Sequence, residues 1–155
     1  MSPANGNSCC NIPKSLIDVG SEGYGLFASV IIVGEMSGYK KLPTEELIRL
    51  YEEAASAHGQ ANRRRDFRAG NPAANTLAAI YREIRSRGLK HQTMLLPLLL
   101  STDNGVRAWA AAHALEFEPS QGEAILLDIA KLEGLEGFNA EMTLKVWRKG
   151  DLRFP

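Results

Sequence analysis

The chain has 155 residues, 45% hydrophobic and 23% charged, with 18 basic and 18 acidic side chains and a formal net charge of zero. That is enough length for one domain with its own core and too little for two comfortable ones, and the apolar content excludes a wholly disordered chain. Zero net charge excludes a global field that would draw nucleic acid or an anionic membrane, so electrostatic recognition has to be local.

Residues 1–41 read as a flexible or weakly ordered leader. The adjacent Cys9 and Cys10 are the only cysteines, and the geometry of a disulfide disfavours a bridge between sequence neighbours. Neither a disulfide framework nor a thiolate metal site is expected, which fits the reducing cytoplasm. Gly20, Gly23 and Gly25 follow the order GxxGxG, which is not the dinucleotide-binding GxGxxG and has no clear strand before it. The apolar run at 26–33 has eight residues, far below the roughly 20 that span a bilayer. No basic segment directly precedes it and no Ala-x-Ala site follows, so no secretory signal and no membrane association are expected.

From residue 42 the pattern is helical, and 42–155 is expected to form the folded domain. Thr44 is a fair N-cap, with Glu45 and Glu46 placed where a helix dipole favours negative charge. Leu47, Leu50, Tyr51, Ala54 and His58 then share one face of a helix reaching about Gly59. Asn71-Pro72 reads as the start of a second helix, with Leu77, Ile80, Tyr81 and Ile84 as its stripe and Gly88 as its stop. Residues 94–100 form a short, almost wholly apolar helix bent or begun at Pro97. Residues 106–116 form an alanine-rich helix with Val106, Trp109, Ala110, His113 and Phe117 on one side. Residues 118–122 are a break before a helix over 123–132 carrying Ile125, Leu126, Ile129 and Leu132. A last helix over 138–149 shows Phe138, Met142, Val146 and Trp147. No segment after residue 41 alternates with period two, so no sheet is expected.

The second-half helix pairs overlay at an offset of about 32, with Val106 on Phe138, Ala110 on Met142, Leu115 on Trp147 and Leu95 on Leu127. Pairs that repeat in this way bury their stripes by stacking. The run Leu95-Leu96-Pro97-Leu98-Leu99-Leu100, then Asp103 at the turn, then Val106-Arg107, Ala110-Ala111 and Leu115, resembles a HEAT-like repeat. The fold class expected is therefore all-α: a short HEAT- or armadillo-like array of about six helices behind an irregular leader. Over 42–150, Leu42-Pro43-Thr44-Glu45-Glu46-Leu47, Tyr51-Glu52-Glu53-Ala54, the segment 79–84, Trp109 to His113 and above all 137–148 resemble a bacterial family known as domain of unknown function 2019. That resemblance implies a helical-repeat fold with no established reaction or cofactor. It also suggests, by likeness to other small helical proteins, an immunity role beside a secreted toxin.

Chemistry-bearing motifs are scarce. His58, His91 and His113 lie far apart without a Cys or HExxH context, and no serine sits in a GxSxG elbow. No catalytic residue, metal ligand or cofactor is expected. Two surfaces remain as candidates for a partner. Arg107, Trp109, His113 and Glu141, with Trp147 and Arg148, would line the meeting of stacked helices, either as a recognition face or as an internal polar network. Arg63, Arg64, Arg65 and Arg68 form the strongest charge feature. Residues 60–91 hold eight Lys/Arg against two acids, whereas 42–59 and 92–155 each sum to −3. Such a patch suits an acidic protein surface, a nucleic-acid backbone, or plain solvation, and only Phe67 offers an aromatic for base stacking. The expectation is a non-enzymatic interaction domain with a protein partner, the immunity role and nucleic-acid binding being the alternatives.

Overall fold

The computed structural model describes residues 38–155. The glycine-rich, apolar and cysteine features at 9–33 lie outside them, as does most of the leader. Six α-helices and one 3-10 helix make up the described part: α1 (Thr44–Arg63), α2 (Phe67–Ser86), α3 (Leu89–Gln92), the 3-10 helix (Thr93–Leu100), α4 (Asn104–Ala114), α5 (Pro119–Ile129) and α6 (Leu135–Arg148). The fold is all-helical, and no β-strand occurs among the described residues. No helix among them is long and apolar enough to cross a membrane.

α1 and α2 are joined by a three-residue turn and pack along each other; α4 then packs against α1, the 3-10 helix, α5 and α6. α4 is the axis of the core, and its composition explains why. Gly105, Ala110, Ala111, Ala112 and Ala114 are all buried, and small side chains allow neighbours to close in from several sides. Leu47, Tyr51, Leu77, Ile80, Tyr81, Ile84, Leu95, Leu126 and Ile129 fill the spaces around it. The stripe read for α2 is buried throughout; of the α1 face, Leu47, Tyr51 and His58 are buried, while Leu50 and Ala54 are partly buried against the core. Gly88, at φ 96°, stops α2.

Several boundaries differ from the sequence reading. Thr44 is the first residue of α1 and does not cap it; its hydroxyl instead meets His91 Nδ1 at 2.8 Å. α1 runs one turn past Gly59. α2 begins at Phe67, five residues before Pro72, because Asp66 accepts the Ala69 amide at 3.1 Å and already caps it. Pro72 is tolerated inside the helix near its start. Residues 94–100 wind as a 3-10 helix and not as an α-helix; Pro97 has no N–H to give an α-helical ladder. The stretch 119–122 is the first turn of α5, with Pro119 at its start and Gly122 pressed against α4.

The offset-32 overlay does not carry into burial. Val106, Ala110, Leu115 and Leu95 are buried, whereas Phe138 is 36% and Leu127 43% exposed and Met142 and Trp147 are half-buried. α6 turns Gly137, Ala140, Thr143 and Leu144 inward instead. A Cβ on Gly137 would collide with the Leu132 carbonyl, so the glycine sits at the closest approach and sets the rotation of the helix.

Candidate functional site

Polar groups inside the core form two clusters, both centred on α4. In the first, the Trp109 indole N–H donates to His58 Nδ1 at 3.0 Å, with the rings edge-on at 5.2 Å between centroids. Because Nδ1 accepts, the neutral ring carries its proton on Nε2. Burial pushes the His58 imidazole down to about 4, which keeps it neutral.

In the second, His113 is wholly buried. Its Nδ1 lies 2.6 Å from the Tyr51 hydroxyl, and Tyr81 stacks flat on the ring. If Tyr51 donates, one N–H at Nε2 is left over; the opposite tautomer would orphan both the Tyr51 proton and Nε2. Tyr51 is therefore the donor, and His113 Nε2 is a buried group without a partner among the described residues. Burial pushes this imidazole down to about 3. The chain continues outward: Tyr81 donates to Glu116 Oε2 at 2.5 Å, Gln92 Nε2 donates to Tyr81 at 3.1 Å, and Arg85 pairs with Glu116 at 2.6 Å. Burial and the Glu116 carboxylate both hold the Tyr81 phenol protonated.

The six residues read as a partner-binding face are not one surface. His113 lies wholly inside the core, and Trp109 is buried there with one face toward a cleft between α1, α4 and α6; both belong to the internal network. Arg107 pairs with Asp128 at 2.9 Å and with Asn104, holding α4 to α5. Arg148 pairs with Glu123 at 2.6 Å, holding α5 to α6. Glu141 pairs with Lys145 one turn along α6, and Trp147 packs half-buried on the core. His91 is engaged with Thr44, apart from the other two histidines.

The arginine cluster has a different setting. α1 ends in a Schellman motif: Asp66 N–H donates to Ala61 O at 2.8 Å and Arg65 N–H to Asn62 O at 3.0 Å. The motif places Arg64, Arg65 and Arg68 in solvent, with no partner among the described residues, and Phe67 beside them. Arg63, one residue earlier, reaches across to Glu136 on α6 at 2.5 Å.

That pair stands at a cleft. Its volume is about 50 Å³, and it lies between the C-terminal part of α1, α4 and α6. His58, Gly59 and Asn62 line one wall; Gly105, Ala108, Trp109 and Ala112 the floor; Glu136, Asn139, Ala140 and Thr143 the other wall. Gly59 and Gly105 make the crossing at its edge possible, since a Cβ on Gly105 would lie 2.9 Å from Gly59 Cα. The Asn139 Oδ1 is buried with no partner among the described residues. The space is mostly apolar and holds a few waters or one small side chain.

Sequence reasoning missed the cleft and the role of Tyr51, Tyr81, Gln92 and Glu116 as one chain. A signal was present for part of it: Tyr51 and His58 are i, i+7 on α1, and Trp109 and His113 are i, i+4 on α4, so each pair lies on one face of its helix. Which face meets which is a tertiary fact.

No family model matches the sequence, and no curated protein matches it. The crystal structure of the protein RPA1889 from Rhodopseudomonas palustris CGA009 is similar, with a TM-score of 0.67 and 22% identity. The alignment covers 75% of this chain and 97% of that one. At that identity the likeness carries the helical fold alone.

Proposed function

We propose that this chain is a non-enzymatic binding domain that recognises a short acidic segment of a protein partner at the α1–α2 turn. The carrying observation is the row of Arg63, Arg64, Arg65 and Arg68 around one tight turn, three of them unpaired among the described residues, at the rim of a cleft. Guanidinium groups bind carboxylates through paired N–H donors, and an unpaired cluster presents that capacity to solvent. Arg65 sharpens the point. It holds φ 56°, a conformation that favours glycine. Backbone strain kept by a charged residue at an exposed turn points to a use for the charge.

A binding role also accords with the two buried histidines, each neutral and each already engaged through Nδ1. In the sequence the basic stretch is flanked by acidic ones, 42–59 and 92–155 each summing to −3. A long polyanion such as duplex DNA would run onto those acidic flanks, while a short acidic peptide would meet the turn alone. Membership of domain of unknown function 2019 is part of the same proposal, as is an immunity role in the case that the partner is a toxin with an acidic segment.

The test is fluorescence anisotropy of a labelled ten-residue Glu/Asp-rich peptide with the full chain at low salt. The triple variant Arg64→Gln, Arg65→Gln, Arg68→Gln should weaken binding about tenfold, from three exposed charge contacts. No binding by the wild type at low salt, or equal binding by the triple variant, removes the reading. Tighter binding of a random 20-base-pair duplex than of the peptide would replace it with a nucleic-acid role.

A further inference from the structure

Resting on that reading, we infer that Glu136 sits in the place of the partner's carboxylate, so that the acidic segment binds Arg63 by displacing a side chain of this protein. Arg63 belongs to the basic row by sequence, yet it is the one member of Arg63, Arg64, Arg65 and Arg68 with an acidic partner. That partner comes from 73 residues away, on the first turn of α6, and lines the cleft directly below. The pair therefore spans the mouth of the cleft from α1 to α6.

The pair is easily exchanged. The Arg63 side chain is 47% exposed and Glu136 21% exposed, and an ion pair so placed is screened by water. Among the described residues, Glu136 makes no hydrogen bond besides the one from Arg63. A carboxylate arriving with a segment that also meets Arg64, Arg65 and Arg68 offers Arg63 the same geometry, with neighbouring contacts that Glu136 cannot make. Once Glu136 swings away, the cleft is open to the adjacent residue of the segment. Its walls of Gly59, Ala108, Trp109 and Ala140 accept a small apolar side chain, and the buried Asn139 Oδ1 accepts an N–H or O–H. The segment that fits is an acidic residue followed by a small one, such as Asp-Ala or Glu-Ser.

An internal competitor has a signature that an ordinary surface charge lacks: its removal strengthens binding, and only while Arg63 is present. Anisotropy titrations of the same labelled acidic peptide compare the wild type with Glu136→Gln, Arg63→Gln, the double variant, and Glu133→Gln. Glu133 is an exposed acid just before α6 without an arginine partner among the described residues, so its substitution measures the generic effect of removing one negative charge. The expected result is Glu136→Gln tighter than wild type by about two- to fivefold, the range set by an exposed ion pair. Glu133→Gln should change little, and the double variant should bind no better than Arg63→Gln alone. A gain in Glu136→Gln no larger than in Glu133→Gln overturns the inference, as does a gain that persists without Arg63. Loss of peptide binding in the triple arginine variant with no effect at Glu136 leaves the acidic-segment reading standing and removes only the displacement. Thermal melts of each variant confirm that all are folded under the binding conditions.

Discussion

Tyr81 lies flat on His113, with ring centroids 3.7 Å apart and parallel planes. The stack places a phenol from α2 over an imidazole from α4, while Tyr51 of α1 holds that same imidazole by its edge. Three helices thus meet on one neutral ring that is completely buried. The arrangement costs something: His113 Nε2 has no partner, and an unpaired buried donor is unfavourable by about 1–3 kcal/mol.

That cost makes the Tyr51–His113 pair testable by a double-mutant cycle. His113→Leu keeps most of the volume but strands the Tyr51 hydroxyl in an apolar surrounding, and should destabilise by about 1–3 kcal/mol. Tyr51→Phe strands Nδ1 in the same way. The double variant strands neither and also removes the unpaired Nε2, so it should recover most of the loss, and the two single effects should not add. Urea unfolding of the four proteins measures this. Additive losses would mean that the 2.6 Å contact is not a bond that matters to folding.

The histidines also fix the response to acid. Burial holds His58 at about 4 and His113 at about 3, against 6.5 for an exposed ring. In the unfolded chain both take up a proton near 6.5, while the folded protein resists until pH 3–4. Protons therefore bind preferentially to the unfolded state inside this window. Stability is full above about pH 6.5 and declines as the pH falls toward 4, by at most about 1.4 kcal/mol per pH unit for each histidine. Urea midpoints at pH 7.5, 6.5, 5.5 and 4.5 should stay level over the first step and then drop. A flat profile from 7.5 to 4.5 would contradict the neutral, buried state of both rings.

Glycines on the helices separate into two kinds with opposite outcomes. At Gly122 a Cβ would lie 2.6 Å from the Ala111 carbonyl and 2.9 Å from the Leu115 amide nitrogen, both backbone atoms that cannot step aside. Gly122→Ala should destabilise by about 1–3 kcal/mol, although alanine is the better helix former. At Gly70 the nearest atoms are the Ala61 methyl at 3.6 Å and the side chains of Asn62 and His58 at 3.8 Å, ordinary contact distances. Gly70→Ala should stabilise by about 0.5–1 kcal/mol from reduced freedom of the unfolded chain. Thermal unfolding should move in opposite directions for the two variants; a Gly122→Ala variant as stable as the wild type or more so would refute the close α4–α5 contact.

These positions mark how far the sequence could be read. The stripes of α1, α2 and α4 follow from apolar spacing alone, and so did the all-helical class. Asp103 was read at the turn before α4, where it caps that helix by taking the Gly105 amide at 2.8 Å. Residues 118–122 were read as a break, whereas Gly122 lies within α5 as a contact point, as Gly137 does in α6, a property of the opposing backbone and invisible locally. Asn71-Pro72 carried a strong start signal that lost to Asp66, because the end of α1 delivers the chain into a helix-ready direction five residues earlier. The arginine row was legible as charge; the single arginine already taken by Glu136 was not, because its partner lies on α6.

The end of α1 gives the sharpest separation of stability from function. α6 closes with the same motif: Gly150 at φ 77° donates to Trp147 O at 2.8 Å, and Asp151 donates to Val146 O at 3.1 Å. There the left-handed position is filled by glycine, as the steric cost predicts; at the end of α1 it is filled by Arg65 at φ 56°. An L side chain in that region costs about 1–2 kcal/mol, offset in glycine by its greater freedom when unfolded. Arg65→Gly should therefore raise stability by up to about 1 kcal/mol in urea unfolding, while weakening the acidic peptide. Arg65→Lys keeps a charge but not the planar donors, and should bind between the two at unchanged stability. If Arg65→Gly is no more stable, the turn is unstrained. If it is more stable and binds as well as wild type, Arg65 is not part of the recognition surface, and the row of arginines loses the residue that most argues for it.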